Sequence, residues 1–175
     1  MLETGQPMHA FDNDRLKGGI VVRRASPSEQ LTLLDGQKIT LNEDNLVIAD
    51  DSGSIALGGI KGGSSTMISE HTSSLFLEAA SFNPDCIAQT ARQFSINSDA
   101  AHRFERGVDF NLPALAIERA SAMVIELCGG TPGPLINQTI PGCLPERRSI
   151  ILRQARLERM LGLSLIHISE PTRPY

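Results

Sequence analysis

Tryptophan is absent and tyrosine occurs once, and six phenylalanines complete the aromatic set of the 175-residue chain. So few rings argue against a stacking platform for single-stranded bases. The three cysteines, Cys86, Cys128 and Cys143, show no CxxC spacing and leave one over, so they outline neither a zinc site nor a disulfide framework. A reducing cytoplasm is the expected location. No apolar run approaches bilayer-spanning length and no basic-then-apolar leader opens the chain, so no membrane partner is expected. The formal charge is -4, with Lys and Arg scattered among Asp and Glu. That balance supplies no broad basic field, and any contact with nucleic acid must be local or lean on other domains.

What is present is enough for one ordinary domain with a fragment of a second. From Gly19 to Ala80 short strands alternate with turns: "IVVRRA", "LTLL" and "KITL" joined through Asp35-Gly36, "LVIAD", "SIAL" and "SLFLEA". The second half is helical. Asn83 and Pro84 read as an N-cap and first-turn proline, and "SDAAHRFERG" as a short helix in which Asp99 and Arg103 lie four apart and can pair. A longer helix starts near Leu112, with Leu112, Ala116, Ala120, Met123 and Leu127 at helical spacing and Gly129-Gly130 as its stop. Strands followed by helices in blocks predict an α+β fold, mostly antiparallel sheet with packed helices. "GGTPGPLINQTIPGCLPERR" reads as an irregular connection holding one short strand, "PLINQT", and "SIILRQARLERMLGL" as a strand entering a helix.

Candidate chemistry is sparse. The pairs in "ALGGIKGGSS" invite a phosphate-loop reading, but Ser64 stands where the lysine must be and Lys61 lies inside the loop. A strand end with a bulge and a tight turn is the plainer account, and a flat ligand lying against the glycine backbone the functional one. Glu78 sits among apolar neighbours in "LFLEAASF"; an exposed edge position is the commoner setting, whereas an inward carboxylate needs a partner such as a ligand hydroxyl. His9 in "GQPMHAFD" is either a proton-handling group or a histidine filling a turn. Arg103 and Arg106 beside His102 are placed to hold a phosphate, or else belong to a charge network with Asp99, Glu105 and Asp109. His9, His71 and His102 have no ligand spacing, so no metal is expected, and no activated serine or cysteine nucleophile is evident.

Taken in order, "GQPMHAFD", "LDG", "LVIAD", "ALGGIKGG", "LFLEAASF", "SDAAHRFERGVD" and "AIERASAMVIELCGG" closely resemble the B3/B4 editing domain of the bacterial phenylalanyl-tRNA synthetase beta-subunit family. The likeness runs from Gly5 to about Leu161. It implies a B3/B4 domain over residues 1–145 lacking its front segment, the start of a B5 domain over 146–163, and a non-native tail over 164–175. It also implies a phenylalanine-tRNA ligase whose editing site hydrolyses tyrosyl-tRNA(Phe). Expected partners are the acceptor end of tRNA(Phe) and an alpha subunit in a heterotetramer of two alpha and two beta chains. ATP and Mg2+ serve the whole synthetase, with no cofactor in this fragment. Carried over by position, Glu78 receives the tyrosine hydroxyl and His9 lies near the ester or terminal ribose. Gly58, Gly59 and Gly62 form the pocket wall, and Ser98 and Ala100 stand near its mouth. A non-catalytic tRNA-binding or packing module and a free-standing trans-editing deacylase are the competing expectations.

Overall fold

A computed structural model of the chain describes residues 1–140, 142–145 and 149–161. These divide into two units, Met1–Asn137 and the segment from Gln138 onward.

In the first unit the strands are β1 (Met8–Asp12), β2 (Val21–Arg24), β3 (Gln30–Thr32), β4 (Lys38–Thr40), β5 (Leu46–Asp50), β6 (Gly53–Leu57), β7 (Lys61–Gly62) and β8 (Leu75–Ala79). All pairings are antiparallel: a four-stranded sheet in the order β2-β5-β6-β7, a β3-β4 hairpin and a β1-β8 ribbon. Asp35-Gly36 closes the hairpin with Gly36 at φ +84°, the left-handed conformation that glycine adopts without steric penalty. A bridge between Leu33 and Gly63 and the bond from the Ser64 N–H to the Thr32 carbonyl (2.9 Å) attach that hairpin beside β7.

β5 and β6 are covered on both faces, which is why "LVIAD" reads as a continuous apolar run rather than an alternation. On one side Val47 and Leu57 join Leu31, Leu33, Ile39 and Leu41 under the helices; on the other Ile48, Ile55 and Ala56 meet Phe11. A register shift opposite Ile48 and Ala49 leaves Ile55 of β6 as an extra residue, so that the neighbours Ile55 and Ala56 serve the same side.

Three helices follow: α1 (Pro84–Gln93), α2 (Asp99–Phe104) and α3 (Leu112–Cys128). Asn83 caps α1 through its side chain, which accepts from the Asp85 and Cys86 N–H groups, with Pro84 in the first turn. Buried Asn45 ties α1 to the start of β5, its amide donating to Gln93 Oε1 at 2.8 Å and Thr90 Oγ1 at 3.5 Å. Ser98 caps α2, accepting from the Ala101 N–H, and its hydroxyl donates to the Ile60 carbonyl at 2.7 Å.

Three expectations are corrected. His9 lies in a strand, not a turn, because Gly5 (φ +76°) completes the turn before it and buried Gln6 pins the chain to Ala80. The α3 stripe is only partly used: Ala116 is buried, whereas Leu127 is 77% exposed. The helix packs on β8, and 17 residues extend about 25 Å against about 17 Å for a five-residue strand, so its far end outruns its support. Asp99 and Arg103 form no ion pair among the described residues.

In the second unit α4 (Gln154–Leu161) is present, but "SIILR" forms no strand, and neither does "PLINQT", which runs from the end of the first unit into the second. Neither segment joins a sheet among the described residues, and a strand needs a neighbouring strand to complete its ladder. The proposed tail at 164–175 lies outside the described residues.

Glu29 cross-links β2, β3 and β6. Its carboxylate accepts from Arg23 at 2.8 and 2.9 Å, from the Ser26 and Ser54 N–H groups at 2.8 and 3.0 Å, and from the Ser54 hydroxyl. The Arg23 bonds foremost hold its pKa down to about 2, against 4.5 unperturbed. A depressed carboxyl stabilises the fold fully above pH 4.5 and loses that contribution as pH falls toward 2. Glu29→Gln is expected to cost about 2 kcal/mol at pH 7 and to flatten the acid limb of a pH series of urea melts. An unaltered acid limb contradicts this role.

Candidate functional site

The antiparallel register of β1 and β8 sets His9 directly opposite Glu78 and Phe11 opposite Phe76. Alternation then puts all four side chains on one face of the ribbon. The His9 ring stands edge-on to Phe11, with centroids 4.5 Å apart, and Phe11 is fully buried. Phe11 therefore fixes the apolar end of this face, and the two titratable groups occupy the other end.

Between His9 and Glu78 lies a small cavity of about 70 Å³. Ala56 and Leu57 of β6, Gly59 and Ile60 of the following turn and Gly62 of β7 form its floor, and Ala100 and Phe104 of α2 close it. Ala100 and Phe104 are four residues apart and so share one helix face. Gly62 is a spatial requirement: a Cβ there meets the His9 imidazole within about 2.5 Å and Leu34 Cδ1 at 3.2 Å. Gly59 has φ +70°, and its missing side chain leaves room for Ile87 and Phe82, whose nearest atoms stand 2.7 and 2.8 Å from the Cβ position.

The glycine segment does not form an anion cradle, since its amides are already engaged. The N–H groups of Gly58, Ile60, Gly63 and Ser64 donate to the carbonyls of Leu46, Leu57, Ile55 and Thr32. An ATP phosphate thus finds no open set of amides there. Among the described residues no group of three or more His, Cys, Asp or Glu is placed to hold a metal, and no helix is long and apolar enough to cross a membrane.

Desolvation governs the electrostatics. Burial pushes the Glu78 carboxyl up to about 7, although part of the residue reaches solvent, and burial lowers the His9 imidazole. An ion pair would move both in the opposite sense. Beyond its backbone pairing with His9, Glu78 makes no hydrogen bond through its carboxyl among the described residues, and buried His9 Nε2 has no partner among them. Two polar groups facing one cavity without internal partners are placed to meet groups of a ligand.

Of the residues singled out in the sequence, His9, Glu78, Gly59, Gly62 and Ala100 line this cavity. Gly58 instead faces Leu46 and Phe82, and Ser98 serves as cap and tether of α2. Phe104 was not singled out, although its spacing from Ala100 signals it. Ala56 also lines the space and carried no signal beyond being apolar, and Pro7, expected to set the backbone that turns His9 inward, lines it as well.

Comparison with known proteins adds an independent finding. The family described as "B3/4 domain" matches residues 1–129. The chain is 52% identical over 165 residues to the phenylalanine--tRNA ligase beta subunit of Nitrosococcus oceani, covering 94% of this chain and 21% of that protein. It is 50% identical over 165 residues to the Xanthomonas oryzae pv. oryzae subunit, again 94% and 21%, and 50% over 162 residues to that of Pectobacterium atrosepticum, 93% and 20%. The chain spans about a fifth of the length of these relatives.

The raised carboxyl makes a signed prediction. A group whose folded pKa lies above its unfolded value of 4.5 stabilises most below pH 4.5, and that contribution is lost as pH rises through about 7. Glu78→Gln keeps the shape and removes the ionisation. Its melting temperature is expected to gain on the parent chain between pH 5 and pH 8, measured by circular dichroism. A pH-independent difference contradicts burial of the carboxyl.

Proposed function

The chain belongs to the B3/4 domain family, and from that membership and the cavity between His9 and Glu78 we propose that it is the editing portion of a phenylalanine-tRNA ligase beta subunit. Its reaction is hydrolysis of tyrosine wrongly esterified to tRNA(Phe). The single observation that carries this reading is the desolvated, unpartnered Glu78 carboxyl facing the small, largely apolar cavity that it shares with His9.

The selectivity follows from that carboxyl. A pocket shaped for phenylalanine cannot strongly reject a substrate that only adds a hydroxyl, whereas a site built to bond the hydroxyl discriminates by about 10⁴-fold. Tyrosine supplies the missing partner of Glu78; phenylalanine leaves the carboxyl buried and unpaired. The cavity of about 70 Å³ is narrower than the roughly 300 Å³ at the small end of ligand sites, so the ring enters by moving wall side chains. His9, whose Nε2 is held by no hydrogen bond, is the polar wall group whose displacement breaks none there.

In the hydrolysis a water oxygen attacks the ester carbonyl, the bond to the ribose oxygen breaks, and the ribose oxygen takes up a proton. The lowered pKa keeps His9 neutral near pH 7, fit to orient the water and accept its proton. Backbone groups and the neighbouring ribose hydroxyl complete the positioning, which supplies most of the rate. Residues 1–145 form the editing domain and 146–163 begin the following one. ATP, Mg2+ and the alpha subunit belong to the complete cytoplasmic ligase, an assembly of two alpha and two beta chains, and to its attachment of phenylalanine.

Deacylation of tyrosyl- and phenylalanyl-tRNA(Phe) tests the reading, using the chain alone and substituted for the matching 165 residues of the Nitrosococcus oceani subunit. Tyrosine release is expected to be faster, and Glu78→Ala to reduce the tyrosine preference about 10²-fold or more. Gly62→Ala, which displaces His9, is expected to slow release of both amino acids. An unaltered preference in Glu78→Ala overturns the proposal, and no release of either amino acid favours a binding or packing module.

A further inference from the structure

The outer face of α2 borders a second, wider and open cavity of about 620 Å³, flanked by the segment at Thr4-Gly5 and by residues from Gly107 to Leu112. Its charged groups are Asp99, His102, Arg103, Arg106 and Asp109. Most are committed internally. Arg106 donates to Glu105 and to His102 Nδ1, and Asp109 Oδ1 accepts from the Asn111 backbone and side-chain nitrogens at 3.0 and 3.1 Å. Half-buried Arg103 differs, because its guanidinium makes no hydrogen bond or ion pair among the described residues. It lies against the backbone at Gly5, where a Cβ would stand 3.8 Å from Nη1. Asp99, four residues before it on the same face, is also without an ion partner among the described residues.

We propose that this cavity is a nucleotide subsite for the RNA strand whose 3′ end occupies the cavity between His9 and Glu78. Arg103 takes a phosphate and Asp99 accepts from a ribose hydroxyl. The assignment rests on the editing reading for the placement of the 3′ end. A guanidinium matches phosphate geometry with several donors, and a carboxylate one turn away matches the sugar hydroxyl that only RNA carries. α2 is the partition between the two cavities: Ala100 and Phe104 face the 3′-end site, and Asp99 and Arg103 face the subsite. Asp99 and Arg103 stand about 100° around the axis from Ala100 and Phe104, so on a helix about 10 Å across the two faces lie roughly 8 Å apart. At about 3.4 Å per stacked nucleotide, the bound phosphate lies two or three nucleotides from the 3′ end. One phosphate contact also fits a chain with a net charge of -4, which must bind RNA locally rather than through a broad field.

The test is titration of the 175-residue chain with uncharged tRNA(Phe) transcript at several salt concentrations, followed by fluorescence anisotropy. Arg103→Ala is expected to weaken binding about 3- to 10-fold and to reduce the slope of log affinity against log salt by about 0.7. Arg103→Lys, which keeps the charge without the fork and guards against a folding defect, is expected to keep the slope and lose part of the affinity. A transcript lacking its three 3′-terminal nucleotides loses both the 3′ end and the Arg103 phosphate, and is expected to bind the parent chain at least as weakly as the intact transcript binds Arg103→Ala. Equal affinity and slope in the folded Arg103→Ala chain overturn the subsite, as does a parent chain that binds no tRNA. Inorganic phosphate competing equally with intact and trimmed transcripts also overturns it, showing a general anion site. Tyrosine selectivity indifferent to Glu78→Ala refutes the editing reading without touching this titration, so the two failures are distinguishable.

Discussion

Everything at the candidate site depends on the pairing of β1 with β8 in one particular register. That register sets His9 opposite Glu78. A slip of one residue would send both groups to the other face of the ribbon. The register is secured at both ends: Gln6 donates to Ala80 at one, and Asp12 accepts from Thr72 while its N–H donates to Thr66 at the other. The ribbon has only five pairs, so these flanking bonds and the Phe11-Phe76 contact carry much of its specification.

Burial of a carboxyl with no internal partner is destabilising, and the rest of the domain offsets it. The two-sided core over β5 and β6, the Asn45 tether of α1 and the Ser98 tether of α2 hold the walls in place without help from the site itself. α2 matters twice. One face closes the cavity against Glu78, and the other presents Arg103 and Asp99 to the wider space beside Gly5. A six-residue helix thereby presents two different chemistries on adjacent faces, about 100° apart around its axis.

Local signals made much of the architecture legible. Asn83-Pro84, Asp35-Gly36 and Gly129-Gly130 each specify backbone conformation through their own chemistry, and the corresponding boundaries stand where that chemistry puts them. The strand containing His9 was harder, because its partner lies more than sixty residues away and no local pattern encodes that pairing. The α3 stripe and "SIILR" erred for a related reason: apolar spacing describes what a segment is able to bury, not what is present to cover it. Glu78 shows the same limit. Alternation assigned its face, but whether that face is wet or dry depends on Gly62, Ala56 and Phe104, which only the fold brings together. The family resemblance suggested the role proposed for it; desolvation at Glu78 supplies a physical reason for that proposal.

The central claim is that Glu78 is a desolvated carboxyl waiting for a hydroxyl. The direct measurement is an NMR titration of its side-chain carboxyl carbon in the chain, free and with non-hydrolysable tyrosyl or phenylalanyl adenosine amides. The account predicts a midpoint near 7 in the free chain, a lower midpoint with the tyrosyl compound, whose phenol bonds the carboxylate, and no such fall with the phenylalanyl compound. A midpoint in the ordinary range near 4.5, or the same response to both compounds, would contradict it.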